Sequence, residues 1–331
     1  MKKQGKGDKY KATVNHKMKI LIFGNGQIGN LYLEFFKAKN IPVEMASADI
    51  TKLSEVKHAV SSFRPQVVIN TAAKTNLEWC SNNKLEAFNV NVLGVGNIAE
   101  VCDNNNIYFV HLSSGCILES KDENDAKDED ALPNPISYYS WTKVWGENIL
   151  TFKRSKLFKY LILRPRQPIS ANISYKNMLI KMLTFTRFVD TPNNGTVLED
   201  LMEWTYELIT KSVTGVVHVA NEGWTTPYRI GKLLKKYILP DMPVIKITKE
   251  ELNKMTPEKR VDTILKVDRL KGLVRDVQPY SKRVEEVIIQ LAENLKKEKP
   301  EFVKAEFDKT LAQSRARTIV NEVWSQLISE N

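Results

Sequence analysis

The chain lacks several features that would place it in a specialised class. Its 331 residues contain no apolar run long enough to span a bilayer, and the basic start lacks the apolar core of a signal peptide. The 3 cysteines show neither CxxC nor metal-ligand spacing, and an odd number does not suggest a disulfide framework. We therefore expect a soluble, cytoplasmic protein without a metal centre.

The positive charge is concentrated in one short segment. The formal net charge is +10, and residues 1–19 supply more than half of this excess. Residues 1–17 have no apolar periodicity and are predicted to form a disordered basic tail. No aromatic pattern for base stacking accompanies the lysines, so nucleic-acid binding is the weaker interpretation.

From Met18 onward, short apolar runs alternate with segments of helical periodicity. This alternation predicts an α/β fold, a Rossmann-type doubly wound parallel sheet with helices on both faces. Ligands on such a sheet bind at the carboxyl ends of the strands. The predicted strands are 19–23, 42–46, 66–70, 108–113 and 215–221, and the predicted helices are 27–39, 53–63 and 84–104.

A glycine motif, Gly24-Asn25-Gly26-Gln27-Ile28-Gly29, follows the first predicted strand and opens the first helix. Gly24 permits a tight turn, Gly26 lets the backbone approach a diphosphate, and Gly29 allows close packing of helix and sheet. The helix N-terminus adds unpaired N–H groups and a positive dipole end. The motif predicts a dinucleotide site, although a tight turn without a ligand has the same spacing.

The second predicted strand does not end in a clear acidic residue. Glu44 lies within the strand, and Asp49 follows it in Ala48-Asp49-Ile50-Thr51, which could approach adenine. Without an obvious carboxylate for the ribose or arginine for a 2′-phosphate, the sequence leaves NAD and NADP open. We favour NADPH, with NADH as the alternative.

Tyr139 and Lys143 are four residues apart, so on a helix they share one face. A free tyrosine has a pKa of about 10, and a neighbouring ammonium would lower it towards the range needed for proton transfer. Ser113 and Ser114 end the strand that begins at Tyr108, where a hydroxyl could bond a substrate oxygen. Alone, the pair is more typical of an ordinary amphipathic helix.

Taken together, these motifs resemble the extended short-chain dehydrogenase/reductase family from about Met18 to about Gln290. Asn91 is similar to the family's central-helix asparagine, and Asn70-Thr71-Ala72-Ala73 to its fourth-strand motif. The catalytic triad of the family is matched by Ser114, Tyr139 and Lys143. The glycine loop is one residue shorter than the usual GxxGxxG, so its contact with a diphosphate could differ.

Within this family the chain is most similar to the dTDP-4-dehydrorhamnose reductase branch. It is more similar still to the bifunctional NDP-4-keto-6-deoxyglucose 3,5-epimerase/4-reductases of UDP-L-rhamnose synthesis. Gly115 and Cys116 replace the Asp-Tyr pair of the plain reductases, as in the bifunctional branch. The closer match is carried by residues 114–119, 164–170, 177–181 and 189–193.

The resemblance implies reduction of a nucleotide-sugar 4-ketone, with Tyr139 as proton donor, and epimerisation at C3 and C5 by Cys116 and Lys181. A buried apolar role for Cys116 and a solvated one for Lys181 are equally good interpretations. The implied cofactor contacts are Gly24, Gly26, Gln27, Ile28, Gly29, Asp49, Ile50, Ala72, Ala73, Asn91, Tyr139 and Lys143. The implied substrate contacts are Thr75, Ser114, Gly115, Arg166, Asn177, Asn193 and Thr196.

The sequence also predicts how the chain is divided. An NAD(P)-binding Rossmann domain is expected over 18–170, and a mainly substrate-binding region with returning Rossmann elements over 171–295. By resemblance, this smaller substrate domain interleaves with the sheet. A C-terminal helical extension, 296–331, carries an apolar stripe over 319–328 that caps its own domain or packs on another subunit. We favour a homodimer.

Several other features have a plain structural interpretation. The acidic segment 119–130 predicts a mobile surface loop that could cover the substrate, and His111 and His218 are expected in the core. Arg164 and Arg166 could bond a substrate diphosphate. Two alternative functions remain open: a reductase of an N-acetylated UDP-4-keto-6-deoxy sugar of the rhamnosamine type, and a non-catalytic regulatory subunit of the methionine adenosyltransferase beta type.

Overall fold

The computed structural model describes residues 18–152, 155–256 and 258–313. Its strands are β1 (Ile20–Phe23), β2 (Val43–Met45), β3 (Val67–Asn70), β4 (Tyr108–Leu112), β5 (Tyr160–Arg164), β6 (Pro168–Ile169), β7 (Arg187–Val189), β8 (Thr196–Val197), β9 (Gly215–His218) and β10 (Ile245–Ile247).

The longer helices are α1 (Gln27–Ala38), α2 (Leu53–Phe63), α5 (Gly94–Asn104), α6 (Tyr138–Thr151), α8 (Leu198–Thr210), α9 (Pro227–Tyr237), α12 (Tyr280–Lys297) and α13 (Pro300–Gln313). The shorter helices are α3 (Leu77–Asn82), α4 (Lys84–Phe88), α7 (Met178–Met182), α10 (Lys249–Met255) and α11 (Asp268–Leu273). One π-helical turn, Asn89–Leu93, joins α4 to α5, and a 3₁₀ turn, Gly115–Ile117, follows β4.

Six strands form one parallel sheet in the order β2-β1-β3-β4-β5-β9. Ile20 of β1 lies opposite Val43 of β2 on one side and Val67 of β3 on the other. Strand β2 lies on one side of β1, and the chain then crosses to β3 on the other side. The strand order therefore reverses between β1 and β3. Open α/β sheets bind ligands at such a reversal. The predicted Rossmann-type doubly wound sheet is confirmed.

Side chains of the central strands alternate between two cores because successive residues of a strand point to opposite faces. Ile20 and Ile22 pack with α1 and α8 on one face, whereas Leu21 and Phe23 pack with α2 and α5 on the other. All four residues are at most 1% exposed. Burial on both faces explains why β1 is a continuous apolar run rather than an alternating one.

A third core lies outside the sheet and organises a smaller lobe. Two short parallel strand pairs, β10 with β7 and β6 with β8, belong to this lobe. Between β8 and α9 the chain returns to the main sheet through α8 and β9, so lobe and sheet alternate along the sequence. The core of the lobe includes Leu179, Ile180, Phe188, Leu234, Val284, Ile288 and Phe307.

The predicted helix over 84–104 is interrupted by the π turn. An ideal Cβ at Gly146 of α6 would lie only 2.7 Å from the carbonyl oxygen of Asn91. Helix α6 therefore approaches this turn more closely than a side chain in place of Gly146 would allow. Such π turns insert one extra residue and occur frequently at functional sites. Apolar periodicity predicts the helix but contains no signal for this local widening.

The acidic segment 119–130 lies at the surface, as predicted, and hydrogen bonds join both of its ends to the fold. The N–H of Ser120 donates to the carbonyl of Asp262 at 2.9 Å. The Glu129 carboxylate accepts the N–H of His218 at 2.9 Å. His218 itself is fully buried, as predicted. These bonds hold the segment against the end of β9.

The first part of the C-terminal extension packs on its own lobe as α13. Val303 and Phe307 are buried in the lobe core, and the Glu306 carboxylate accepts the N–H of Tyr175 at 2.8 Å. This part of the extension therefore caps the lobe of its own chain.

The predicted apolar stripe over 319–328 and the basic tail 1–17 lie outside the described residues. The homodimer and the role of the tail accordingly stay predictions. Within the described ranges, no helix combines the length and the apolar character that crossing a membrane requires.

A substitution at Gly195 tests how tightly the lobe is packed. An ideal Cβ there would lie 2.3 Å from the Cζ and hydroxyl of the buried Tyr280. Gly195→Ala is expected to lower the free energy of unfolding in urea by about 1–3 kcal/mol, because the core must shift. Gly272→Ala in α11, where nothing lies within 4 Å of an added Cβ, is the matched control. Equal losses in the two variants would contradict this packing.

Candidate active site

The glycine loop between β1 and α1 is shaped by close backbone contacts. Gly24 has a φ of +102°, and an ideal Cβ there would lie 2.4 Å from the N of Ala72. A Cβ on Gly29 would lie 1.9 Å from the carbonyl oxygen of Gly24. Gly26, by contrast, has no atom within 4 Å of an added Cβ. Two glycines thus close the turn, and the third leaves open space at the N-terminus of α1.

The motif after β3 braces this loop. The Thr71 hydroxyl bonds the carbonyl oxygens of Phe23 and Gly24 at 3.0 and 2.9 Å. Asn70 is fully buried; its Oδ1 accepts the N–H of Ala72 at 3.0 Å, and its Nδ2 lies 3.2 Å from Nδ1 of His111. The side chains of this motif therefore fix the glycine loop to the sheet, and Ala72 packs directly beneath Gly24.

Asn91 connects the loop after β3 with helix α6. It is fully buried within the π turn. Its Oδ1 accepts the N–H of Lys74 at 2.8 Å, and its Nδ2 donates to the carbonyl of Lys74 and the hydroxyl of Thr142, both at 2.9 Å. Asn91 thus acts through backbone and helix contacts, which fix the segment that follows Ala72 and Ala73.

Ser114 and Cys116 lie where β4 ends and α6 begins. The Ser114 hydroxyl caps the 3₁₀ turn by accepting the N–H of Cys116 at 3.3 Å. The N–H of Gly115 donates to the carbonyl of Pro165 at 2.8 Å, which joins this turn to the end of β5. The Ser140 hydroxyl donates to Cys116 Sγ at 3.3 Å. Cys116 is 7% exposed and adjoins α6.

Tyr139 and Lys143 both lie on α6, as predicted. Tyr139 forms a hydrogen bond with the Ser114 side chain. Lys143 is 2% exposed, and its Nζ donates to the carbonyl of Leu112 at 2.8 Å. The fold therefore brings the three residues of the predicted triad to the carboxyl end of β4.

Burial changes the acidity of this pair in opposite directions. It raises the pKa of Tyr139 well above its usual range, because a phenolate would be poorly solvated there. It lowers the pKa of Lys143 to about 8. The expected net lowering of the Tyr139 pKa is wrong for this arrangement, because burial outweighs any stabilisation of the phenolate by a neighbouring ammonium.

Arg166 extends the site from the end of β5. Its Nη2 donates to Asn193 Oδ1 at 2.7 Å and to the carbonyl of Val261 at 2.6 Å. Its Nε is buried and has no hydrogen-bond partner among the described residues. Arg166 also interacts electrostatically with Cys116 and Tyr139. The Nε–H of the guanidinium is thus a free donor beside the proposed reacting groups.

Asn193 and Thr196, predicted as substrate contacts, instead support Arg166. Both are at most 2% exposed. The amide of Asn193 donates to Asp262 at 2.7 Å, while its oxygen accepts from Arg166. The Thr196 hydroxyl donates to the carbonyl of Val219 at 2.6 Å and accepts the N–H of Arg166 at 2.9 Å. Their polar groups are used inside the protein, so we leave both residues out of the proposed substrate contacts.

Asn177 is also a structural residue. Its Oδ1 accepts the N–H of Leu179 at 3.2 Å and thereby caps α7. Its amide donates to the carbonyls of Ser170 and Asn172 at 2.7 and 2.8 Å. Full burial and three hydrogen bonds leave no free group for a substrate, which corrects the prediction.

Three other predicted contacts fall in different environments. Thr75 and Asp49 are exposed, and the Asp49 carboxylate accepts the hydroxyl of Thr51 at 2.7 Å. Ile50 is 5% exposed, and an ideal Cβ at Gly94 would lie 2.6 Å from its side chain. Ile50 therefore serves mainly to pack α5, whereas Thr75 and Asp49 remain accessible to a ligand.

Lys181 lies on α7 and is half-buried. Burial lowers its pKa, and the positive charges of Arg260 and Lys176 lower it further. Lys181 is therefore part of a cationic group, which disfavours its ammonium form. This environment differs from that of a solvated helix lysine.

Sequence reasoning missed two acidic or nucleophilic groups near Lys143. Glu147 follows it by one helical turn, a spacing that could have been noticed, and forms a buried salt bridge of 2.7 Å with Arg164. Arg164 is thereby committed inside the fold, which corrects its predicted role at a diphosphate. Cys80 of α3 interacts electrostatically with Tyr139 and Lys143, a proximity for which the sequence contains no signal.

Comparison with known families gives one match over most of the chain. The family model described as the RmlD substrate binding domain matches residues 18–292. That range covers the main sheet, the strands of the lobe and most of α12, and it ends before α13.

Two curated plant proteins illustrate the similarity. A trifunctional UDP-glucose 4,6-dehydratase/UDP-4-keto-6-deoxy-D-glucose 3,5-epimerase/UDP-4-keto-L-rhamnose-reductase of Arabidopsis thaliana is 28% identical over 265 residues, which are 77% of this chain and 39% of that protein. A bifunctional dTDP-4-dehydrorhamnose 3,5-epimerase/dTDP-4-dehydrorhamnose reductase of the same plant is 28% identical over 263 residues, 76% of this chain and 86% of that one. The chain thus spans about two fifths of the trifunctional relative.

Two solved structures share the fold. The L780 UDP-rhamnose synthase of Acanthamoeba polyphaga mimivirus superimposes with a TM-score of 0.76 at 24% identity, covering 82% of this chain and 99% of that one. A dTDP-4-dehydrorhamnose reductase of Bacillus anthracis in complex with NADP gives 0.73 at 23% identity, covering 83% and 99%. At these identities the likeness supports the architecture alone.

Proposed function

Since the chain belongs to the family of the RmlD substrate binding domain, we propose that it reduces the 4-keto group of a nucleoside-diphosphate 4-keto-6-deoxyhexose. We further propose that it epimerises this sugar at C3 and C5, which gives an L-rhamnose-type nucleotide sugar. The observation that carries the proposal is the convergence of Ser114, Cys116, Tyr139, Lys143 and Arg166 at the ends of β4 and β5. Both plant relatives carry names that combine the two reactions, which supports the assignment.

The open space at Gly26 fits the diphosphate of a dinucleotide. The first N–H groups of α1 have no intrahelical acceptors, and the absence of a side chain at Gly26 lets a phosphate come close to them. NADPH, when bound, supplies the hydride for carbonyl reduction. Solved structures that share this fold hold NADP, NADPH or NAD. The NADP complex is that of a dTDP-4-dehydrorhamnose reductase, which supports NADPH here.

Tyr139 is the proposed proton donor in the reduction. Its raised pKa keeps the hydroxyl protonated at neutral pH, so it can protonate the oxygen as negative charge develops on it. Ser114, bonded to Tyr139, orients the same oxygen. With a pKa of about 8, Lys143 is mostly an ammonium at pH 7 and stabilises the phenolate that remains.

Epimerisation uses the same ketone, because a carbonyl at C4 acidifies the hydrogens at C3 and C5. Inversion of these centres needs a base on one face and an acid on the other. Cys116 is the proposed base, and its interactions with Arg166 and Lys143 provide the cationic surroundings that such a cysteine requires. Lys181, whose pKa is lowered, is the proposed partner on the other face.

The cofactor assignment is tested by substituting the one open glycine. Gly26→Ala is expected to leave urea unfolding nearly unchanged but to weaken NADPH binding by about tenfold or more, because the methyl group blocks the diphosphate. Gly29→Ala, with a Cβ 1.9 Å from a backbone oxygen, is expected to lose stability as well. Fluorescence titration measures the affinity. Unchanged NADPH affinity in Gly26→Ala would exclude this loop as the diphosphate site.

The two reactions are separated by a crossed experiment in deuterated water with UDP- and dTDP-4-keto-6-deoxyglucose. Tyr139→Phe is expected to slow reduction by about 100-fold or more while deuterium still enters C3 and C5. Cys116→Ser is expected to stop this incorporation yet still reduce the already epimerised 4-keto sugar. NADPH oxidation and NMR of the sugar give the readouts.

The control for the thiol substitution is Cys102→Ser, in which the altered cysteine belongs to α5 and is buried in the core. It should retain both reactions. Full reductase activity in Tyr139→Phe would reject the reduction mechanism. Wild-type reduction without any deuterium at C3 or C5 would confine the enzyme to the reductase step.

A further inference from the structure

The proposed mechanism leaves one deeply placed carboxylate without a role. Glu147 lies on α6 and is 7% exposed. Its two oxygens accept Nε and Nη2 of Arg164 at 3.0 and 2.7 Å, a bidentate pairing. Its Oε1 also accepts the hydroxyl of Ser113. A buried ion pair is weak evidence for stability, since two apolar side chains would often serve as well.

Glu147 and Lys143 hold consecutive residues at the end of β4. Lys143 donates to the carbonyl of Leu112, and Glu147 accepts from Ser113. The next residue, Ser114, is the one that bonds Tyr139. Two charged side chains, one helical turn apart, therefore fix α6 to the strand end from which the catalytic hydroxyl projects.

The carboxylate also extends this connection across the sheet. Arg164, its partner, ends β5, and Arg164 Nη1 lies 3.3 Å from Nε2 of His218 at the end of β9. The Glu147 carboxylate thus links α6 directly to the ends of β4 and β5, and through Arg164 to the end of β9. The position of Glu147 therefore determines where Lys143 lies relative to Ser114.

The charge of Glu147 acts on Lys143 as well. The titratable groups around Lys143 are Cys116 of the 3₁₀ turn, Cys80 of α3, His111 of β4, and Tyr139 and Glu147 of α6 itself. Burial raises the pKa of Cys80 to about 11, so this thiol carries no charge near neutral pH. The Glu147 carboxylate, in contrast, is paired with the Arg164 guanidinium, and its charge favours the ammonium of Lys143.

We propose that Glu147 is a positioning residue of this active site. It aligns the Lys143 side chain with the strand end that carries Ser114, and it keeps Lys143 in the ammonium form that stabilises the Tyr139 phenolate. The inference rests on the proposed reductase function, whose substrate and cofactor it leaves unchanged.

The test is the pH profile of kcat/KM for NADPH-dependent reduction by Glu147→Gln. Removal of the negative charge disfavours the ammonium, so Lys143 loses its proton at lower pH. The alkaline limb of the profile should therefore move down by about one pH unit or more. At pH 8 the variant should lose about tenfold in kcat, with a smaller loss at pH 6 and little change in the KM of the sugar.

Two further variants keep the test decisive. Glu203→Gln removes an exposed carboxylate of α8, which pairs with Lys39, and should leave the profile unshifted. Because Glu147→Gln leaves Arg164 buried without its anion, Glu147→Gln/Arg164→Gln is the second variant. Glu147, but not Arg164, is among the main causes of the Lys143 pKa shift, so the double variant should still move the alkaline limb down, by less than Glu147→Gln does because a cation is removed as well. Its folding is verified by thermal unfolding.

A uniform loss of activity with an unshifted alkaline limb would overturn the proposal, because that result describes a purely structural ion pair. If the wild type reduces no 4-keto sugar, the proposed function fails separately. The inference is then decided by NMR titration of the Lys143 Cε signal in protein grown with ¹³C-lysine and assigned through Lys143→Arg; Lys143 should lose its proton at lower pH in Glu147→Gln than in the wild type. Equal midpoints would reject it.

Discussion

The burial of a lysine ammonium against the end of a strand is the constraint on which the site depends. Lys143 is 2% exposed and bonds the carbonyl of Leu112 at 2.8 Å. A buried charge is costly unless it is paired, so α6 must lie close to β4. Gly146 lets α6 lie close to the π turn as well, because an ideal Cβ there would be 2.7 Å from the carbonyl oxygen of Asn91. Helix α6, the π turn and the strand end therefore form one unit.

The same burial sets the acidity of the two groups on α6. A poorly solvated environment disfavours both a phenolate and an ammonium, so the pKa of Tyr139 rises while that of Lys143 falls to about 8. Tyr139 is thus kept protonated and can act as an acid, whereas the pKa of Lys143 lies close to neutral pH. A nearby charge can therefore change the protonation state of Lys143, and for this reason we propose that Glu147 does more than pack α6.

Polar residues around the site serve mainly to position other residues. Asn193 and Thr196 use their hydrogen bonds to hold Arg166, and Asn177 caps the helix that carries Lys181. Buried polar atoms must be satisfied, so most of them are occupied within the protein itself. The free Nε of Arg166 is an exception among the described residues, and it belongs to a guanidinium that interacts electrostatically with Cys116 and Tyr139.

The sequence by itself determined the strand and helix alternation, the glycine loop, and the Tyr139 and Lys143 pair, because these follow from local periodicity and short spacing. It also indicated Ser114 and Cys116 through a family resemblance. Only the tertiary structure decided which polar residues have hydrogen-bonding groups left for a substrate. The sequence predicts Asn177 and Asn193 as substrate contacts, but their amide groups are bonded inside the protein. Burial likewise depends on contacts distant in the chain, so the direction of the Tyr139 pKa and the placement of Cys80 and Arg164 could not be read from the sequence.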